Sequence, residues 1–211
     1  MWPVIYDFGI IRFLGFEFHL AIYSYGFMLV VAFYTCYALL LKEMRRLGYG
    51  DKLASDILTA AAIGGIVGSK IYYLLENFDR VLGDPTGMIL SGAGLVFLGG
   101  LMGGTLGVTI VLKKNELHWL TFADIVAPLL ILGYAIGRVG CFLVGDDYGL
   151  PTRFLIGMTF ENGSPPTTYG SLTYNYPWVD LSGWDSGDLI TVYPTQIMET
   201  IIGLGIFYFL W

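Results

Sequence analysis

Residues 119–144 read WLTFADIVAPLLILGYAIGRVGCFLV, and only Asp124 and Arg138 carry charge in that stretch. A helix needs about 20 apolar residues to cross the ~30 Å hydrocarbon core of a bilayer. The run is long enough, so it reads as a transmembrane helix. Similar runs lie on either side of it. Residues 93–112 end at Lys113 and Lys114, and residues 57–75 are interrupted by Ser69 and Lys70. Residues 20–41 hold no charge and end at Lys42, Arg45 and Arg46, while 194–211 hold Glu199. The composition agrees: of 211 residues 55% are apolar, 16% aromatic and 13% charged. A soluble domain carries about 25% charged residues, enough to cover its surface. This chain has about half that share, which excludes a disordered chain, a nucleic-acid binder and an ordinary soluble enzyme. The expected fold is an all-α polytopic membrane protein, one membrane domain over 1–211 with about five transmembrane helices.

Loop charges orient these spans. Lys42, Arg45, Arg46 and Lys52 lie between the first two, and Lys113 and Lys114 between the third and fourth. The segment 145–190 holds one basic residue, Arg153, against Asp146, Asp147, Glu161, Asp180, Asp185 and Asp188. The positive-inside rule puts the basic loops in the cytoplasm and both the N-terminus and 145–190 outside. Residues 1–19 are rich in aromatics but broken by Pro3, Asp7, Arg12 and Glu17, so they read as an outer interfacial segment. Residues 20–144 hold four spans, 145–190 form an outer loop and 194–211 a fifth span. The loop is rich in Thr, Tyr, Gly, Pro and Ser, which predicts short strands and turns. Cys36 and Cys141 sit in apolar runs and do not suggest a disulfide framework.

Charges inside a membrane are costly, so each is a functional candidate. Asp124 reads as a first-turn carboxylate complementing the helix dipole. Lys70 either snorkels to the interface or binds something. Arg138 lies too deep to snorkel and serves either function or an ion pair with Glu199. Glycine numbers 29, and its spacing of four recurs at Gly64/Gly68, Gly99/Gly103/Gly107 and Gly133/Gly137. Such spacing lets helices pack closely in lipid. The adjacent Gly99 and Gly100 weaken a helix and can free backbone N–H groups for a ligand. The densest stretch is 137–152, GRVGCFLVGDDYGLPT. It reads as a helix fraying into a glycine-rich loop, with a guanidinium suited to bidentate contact with a lipid phosphate.

Several stretches, in order, resemble the prolipoprotein diacylglyceryl transferases of bacteria. They are Tyr23-Ser24-Tyr25-Gly26, Gly68-Ser69-Lys70-Ile71-Tyr72-Tyr73, Gly94-Leu95-Val96-Phe97-Leu98-Gly99-Gly100-Leu101, Gly137 to Gly149, and Tyr193-Pro194-Thr195-Gln196-Ile197-Met198-Glu199. The resemblance implies transfer of a diacylglyceryl group from phosphatidylglycerol to the lipobox cysteine thiol of a preprolipoprotein, in the bacterial inner membrane with the site facing the outer leaflet. It implies no cofactor and no metal. Arg138 falls on the essential arginine that holds the phosphate leaving group, Tyr25 on the essential tyrosine, and Asp146 on a glutamate that can orient Arg138. Lys70, Gly99, Gly100, Cys141, Tyr148, Gly149, Gln196 and Glu199 are the expected substrate-binding residues. Asp147 and Tyr148 are further candidates for proton handling.

The sequence departs from the family at Leu98, where many members carry a histidine base, at Cys141, where asparagine is usual, and at Tyr193, where histidine is usual. Neither His19, at the outer entry of the first span, nor His118, on the cytoplasmic side, supplies that base. The resemblance also implies a further span with a second essential arginine, so either the 211 residues are the front part of a longer protein, as expected, or this version lacks that arginine. Two other readings stand beside the transferase: a non-catalytic phospholipid-binding membrane protein, and a relative using a different acceptor. A transporter fits poorly, because the charges gather near one face and no inverted repeat is visible.

Overall fold

A computed structural model describes residues 1–13, 16–90 and 96–211, with backbone alone for 11–13, 16–19 and 90. Its elements are the strands β1 (Val4–Phe13) and β2 (Phe16–Tyr23), and eight helices. These are α1 (Ser24–Arg46), α2 (Asp51–Glu76), α3 (Phe78–Gly83), α4 (Pro85–Leu90), α5 (Phe97–Lys114), α6 (Trp119–Val144), α7 (Tyr169–Asn175) and α8 (Thr195–Leu210). Four of them, α1, α2, α5 and α6, are long and apolar enough to cross a membrane, and α8 is a shorter apolar helix. At 1.5 Å per residue, the 16 residues of α8 extend about 24 Å. The fold class expected from composition is therefore present. The chain divides into two compact units, Met1–Cys36 with Ala127–Trp211, and Tyr37–Val126.

The first unit opens on the hairpin, where sequence predicted an interfacial segment without assigned structure. Strands β1 and β2 pair antiparallel, with a register shift between Asp7 and Gly9. Gly9 takes φ +75° there, and its N–H donates to Asp7 Oδ1 at 2.7 Å. Aromatic and branched residues favour this extended backbone. Their side chains stand exposed, as at Tyr6, Phe8 and Ile10. An isolated two-stranded hairpin is marginal in water, so apolar surroundings suit it. Strand β2 also takes residues 20–23 from the run expected as helix from 20, and α1 starts at Ser24. The Ser24 N–H donates to Pro3 O at 3.0 Å and its hydroxyl to Trp2 O, while the Trp2 N–H donates to Leu143 O at 3.0 Å.

The segment 145–190 differs from its expectation. Among the described residues it forms isolated bridges, Pro151 and Met158 with Val192 and Thr168 with Leu189, and no longer strand. It also contains α7, whose first turn is capped where the Ser171 N–H donates to Thr168 Oγ1 at 3.3 Å. Its polar composition hides a core of Phe160, Leu172, Leu181, Ile190 and Val192, with Tyr148, Tyr176 and Trp184 packed around it. Burying such a side chain stabilises by about 1.5–3 kcal/mol. The buried Thr167 hydroxyl accepts the Phe160 N–H at 2.9 Å, so this core leaves neither group unpaired.

The second unit is built on α2 against α5. Their contact runs through the glycines that the spacing singled out. A Cβ added at Gly103 would stand 2.8 Å from Gly68 Cα and against the Gly64 carbonyl, and one at Gly107 2.5 Å from Ala60 O. Both are nearer than a side-chain carbon can come to backbone. Gly99 and Gly100 belong to the same seam. They lie in the first turn of α5, where Gly99 packs on Gly68 and Tyr72, and the Gly100 N–H is satisfied by Val96 O at 3.0 Å. The expectation of a freed mid-span backbone is corrected at Gly100. Residues 91–95, with Gly94 and Leu95 of that motif, lie outside the described residues, as does the side chain of His19. Asp124 is the sixth residue of α6, past the first turn where sequence placed it. The Lys70 ammonium lies 5.4 Å from the centre of the Tyr73 ring.

Candidate functional site

The site in the first unit starts where α6 ends. Val144 is its last residue, and Gly145 follows at φ +75°, a left-handed turn that costs glycine nothing. The N–H groups of Gly145 and Asp146 both return to the Cys141 carbonyl, at 2.8 and 3.2 Å. Asp147 takes a second positive φ of 50°. These turns fold an arm, residues 145–149, back over the last turns of α6.

Helix α8 latches the arm. Thr195 Oγ1 donates to Asp147 O at 2.9 Å, and Gln196 Nε2 donates to Asp146 O at 2.5 Å. The Gly149 N–H donates to Tyr193 O at 2.8 Å. Gly149 has to be glycine on packing grounds: a Cβ there would stand 2.7 Å from Thr195 Cγ2 and 3.0 Å from Tyr193 Cβ. Gln196 is fully buried. Its amide Nε2 holds the arm, while its Oε1 is buried with no hydrogen-bond partner among the described residues.

Arg138 sits between arm and helix. Nη1 donates to Asp147 Oδ2 at 3.1 Å and Nη2 to Asp147 O at 3.2 Å. Nε lies 2.7 Å from Glu199 Oε2, an ion-pair approach in which the N–H makes no aligned hydrogen bond. The Arg138 side chain is 12% exposed, and that of Asp147 is 70% exposed. Glu199 also accepts the Tyr134 hydroxyl, one helical turn before Arg138. The predicted pairing of Arg138 with Glu199 is present. The left-handed turns direct the Asp147 carboxylate, rather than that of Asp146, into direct contact with the guanidinium. One Asp146 oxygen is buried with no hydrogen-bond partner, and burial raises the pKa of that carboxyl above its ordinary value.

The remaining candidates divide. Tyr25, in the first turn of α1, packs against Gly140, where an added Cβ would stand 3.3 Å from its Cδ2. Its phenol lies within electrostatic reach of Arg138, Asp146 and Asp147. Cys141 is buried, with Sγ 3.9 Å from Asp147 Oδ2. Ligand atoms of Cys141, Asp146 and Asp147 lie within 4.8 Å of one another. Because Arg138 already balances Asp147, this trio is not read as a metal site. Lys70, Gly99 and Gly100 belong to the second unit. Sequence reasoning missed Thr195 and Tyr134. The signal for Tyr134 was its spacing of four from Arg138, on the same helix face.

Tyr148 has a structural role in the core of the outer segment. Its ring stacks on Phe160 at 5.4 Å and its hydroxyl donates to Pro165 O at 2.9 Å. Burial pushes its phenol well above the ordinary range. Tyr148→Phe is expected to cost about 1 kcal/mol in thermal unfolding, the worth of one hydrogen bond, with any transfer activity retained. Loss of activity in a stably folded Tyr148→Phe protein would restore the hydroxyl to the site.

Residues 13–211 match the family model for prolipoprotein diacylglyceryl transferase. The chain belongs to the prolipoprotein diacylglyceryl transferase family. Together with its apolar helices, this makes it a multi-pass membrane protein. It is 31% identical to the phosphatidylglycerol-prolipoprotein diacylglyceryl transferase of Clostridium tetani (strain Massachusetts / E88), over 92% of this chain and 70% of that protein. The second such transferase of Clostridium perfringens (strain 13 / Type A) is 34% identical, over 92% of this chain and 69% of that protein. A transferase of the same name from Leptospira interrogans (serovar copenhageni, strain Fiocruz L1-130) is 27% identical, over 88% of this chain and 60% of its own length. The matched residues 13–211 include Arg138, Asp147 and Glu199.

Proposed function

We propose that this protein transfers a diacylglyceryl group from phosphatidylglycerol to a cysteine thiol of a preprolipoprotein, in the bacterial inner membrane with its site facing the outer leaflet. The observation that carries this reading is the Arg138 guanidinium. It is held between Glu199 and the arm at the end of an apolar helix, in a chain whose relatives bear that activity in their names. The thiolate of the acceptor attacks the diacylglyceryl carbon bonded to the phosphate oxygen. A C–S bond forms, the C–O bond breaks, and glycerol phosphate leaves with the electron pair. Arg138 offsets the charge that collects on the departing phosphate. Tyr25, beside it on α1, offers a hydroxyl to the headgroup. The proton acceptor for the thiol is unassigned, because Leu98 has no atom that takes a proton.

The test is complementation. The full reading frame is expressed in bacteria depleted of their own diacylglyceryl transferase, and lipid label is followed into a reporter lipoprotein. Label transfer is expected. Absence of label from a well-expressed, inserted protein would favour the second reading, a phospholipid-binding protein without catalysis, to which Leu98 points. Leu98→His is expected to raise transfer in the same assay, since a positioned base is worth about 10²-fold or more. An unchanged rate would place the proton acceptor elsewhere. Leu98 is half-exposed in the first turn of α5, so an imidazole of similar size is accommodated.

A further inference from the structure

The geometry points to Asp147 as a built-in competitor for the anionic headgroup: its carboxylate occupies Arg138 in the phosphate's place and must leave when phosphate binds. This rests on the lipid-binding part of the reading above.

A guanidinium binds phosphate best through two adjacent N–H groups. All three nitrogens of Arg138 already face a protein oxygen: Nε faces Glu199, and both Nη groups face Asp147. Each Nη carries a second N–H, but the side chain is only 12% exposed, so a phosphate that takes the Nη1 N–H now given to Asp147 displaces that partner. The partners differ in how firmly they are held. Glu199 approaches to 2.7 Å, and the same oxygen accepts the Tyr134 hydroxyl. The Asp147 carboxylate stands at 3.1 Å on a side chain that is 70% exposed. Among the described residues it also meets the Cys141 thiol, at 3.9 Å. The backbone beneath is fixed, since Asp147 O accepts from Thr195 and the neighbouring arm is tied at Asp146 and Gly149. Rotation of the Asp147 side chain alone frees Nη1 and leaves the arm in place. Charge agrees with this. Arg138 is one cation among Asp146, Asp147 and Glu199, so an anion meets a site that its own carboxylates already compensate. Leaving with the side chain, Asp147 takes one negative charge out of the phosphate's position.

An orienting carboxylate and a competing one predict opposite signs. If Asp147 holds Arg138 in its working position, removing its charge weakens lipid binding. If it competes, removing its charge strengthens binding. Asp147→Asn suits the test, because asparagine tolerates positive φ and keeps the backbone carbonyl that Arg138 and Thr195 share. Phosphatidylglycerol is titrated into the purified full-length protein in detergent, with diacylglycerol, which lacks phosphate, as the comparison ligand. Asp147→Asn is expected to bind phosphatidylglycerol about fivefold tighter than the unaltered protein. That corresponds to about 1 kcal/mol. Asp147→Ser is expected to shift the same way, and binding of diacylglycerol is expected to stay unchanged. Weaker or unchanged binding in both variants would overturn the competition, as would equal tightening for diacylglycerol. If the unaltered protein does not bind phosphatidylglycerol at all, the lipid reading itself fails. If it binds and transfers label while the variants bind no tighter, only the competition fails.

Discussion

Arg138→Lys is expected to lower diacylglyceryl transfer by about 10²-fold or more while the protein still inserts and folds. The charge is kept, so a role as a simple counter-ion would survive the change. What is lost is the planar fork. Arg138 spans two elements at once, with Nε toward Glu199 on α8 and both Nη groups toward Asp147 on the arm. A lysine ammonium is a compact point charge on a flexible stem and cannot fill three positions in one plane. It settles on one carboxylate and leaves the other uncompensated in a partly buried site. It also offers the departing phosphate no bidentate contact. Losing one pre-positioned donor to a developing anion costs roughly 10²–10³-fold in rate. The assay is lipid label in a reporter lipoprotein, normalised to inserted protein, with the rate at saturating lipid separated from the lipid dependence. The loss is expected in the rate. Undiminished turnover in Arg138→Lys would remove Arg138 from the role proposed for it.

The largest structural effect is expected at Gly103. Gly103→Val is expected to destabilise the second unit by about 3 kcal/mol, seen as a lower unfolding temperature in detergent. Overpacking a filled core typically costs about 1–3 kcal/mol, when neighbouring side chains give way. Here the neighbours are backbone: the Gly64 carbonyl and Gly68 Cα, 2.8 Å from the added Cβ. Backbone of one helix yields only if the whole helix moves, which would also open the contacts at Gly99 and Gly107. Gly205→Ala is the matched control. It lies in α8 with nothing within 4 Å of an added Cβ, so alanine is expected to be neutral or to stabilise by up to about 1 kcal/mol through helix propensity. Equal tolerance of Gly103→Val and Gly205→Ala would mean that α2 and α5 do not pack through this seam.

The membrane spans were legible because a membrane asks one question of a sequence: whether about 20 residues in a row are apolar. The glycine seam was legible for a similar reason, as a spacing of four puts Gly64 and Gly68 on one helix face. The N-terminal hairpin was not. Residues 1–23 alternate too irregularly to declare a strand, and Gly9 hides a bulge that only pairing with β2 reveals. The core under 145–190 was missed for another reason. Phe160, Leu172, Leu181, Ile190 and Val192 are scattered among polar residues with no period, and they meet only because turns and bridges bring them together.

The candidate site shows the same division within a few residues. Sequence alone determined that Arg138 lies in an apolar helix and that Glu199 was available to it, with an ion pair and a functional role both open. The cost of charge in lipid dictates that much wherever the helices stand. Sequence could not determine which of the adjacent Asp146 and Asp147 reaches the guanidinium. Their side chains leave the backbone in different directions, and the choice is made by two positive φ angles, at Gly145 and Asp147. Those angles persist because Thr195 and Gln196 hold the arm from α8, some 50 residues further along the chain. The tertiary structure alone decided it, since a local turn near balance takes its direction from the contacts that close over it.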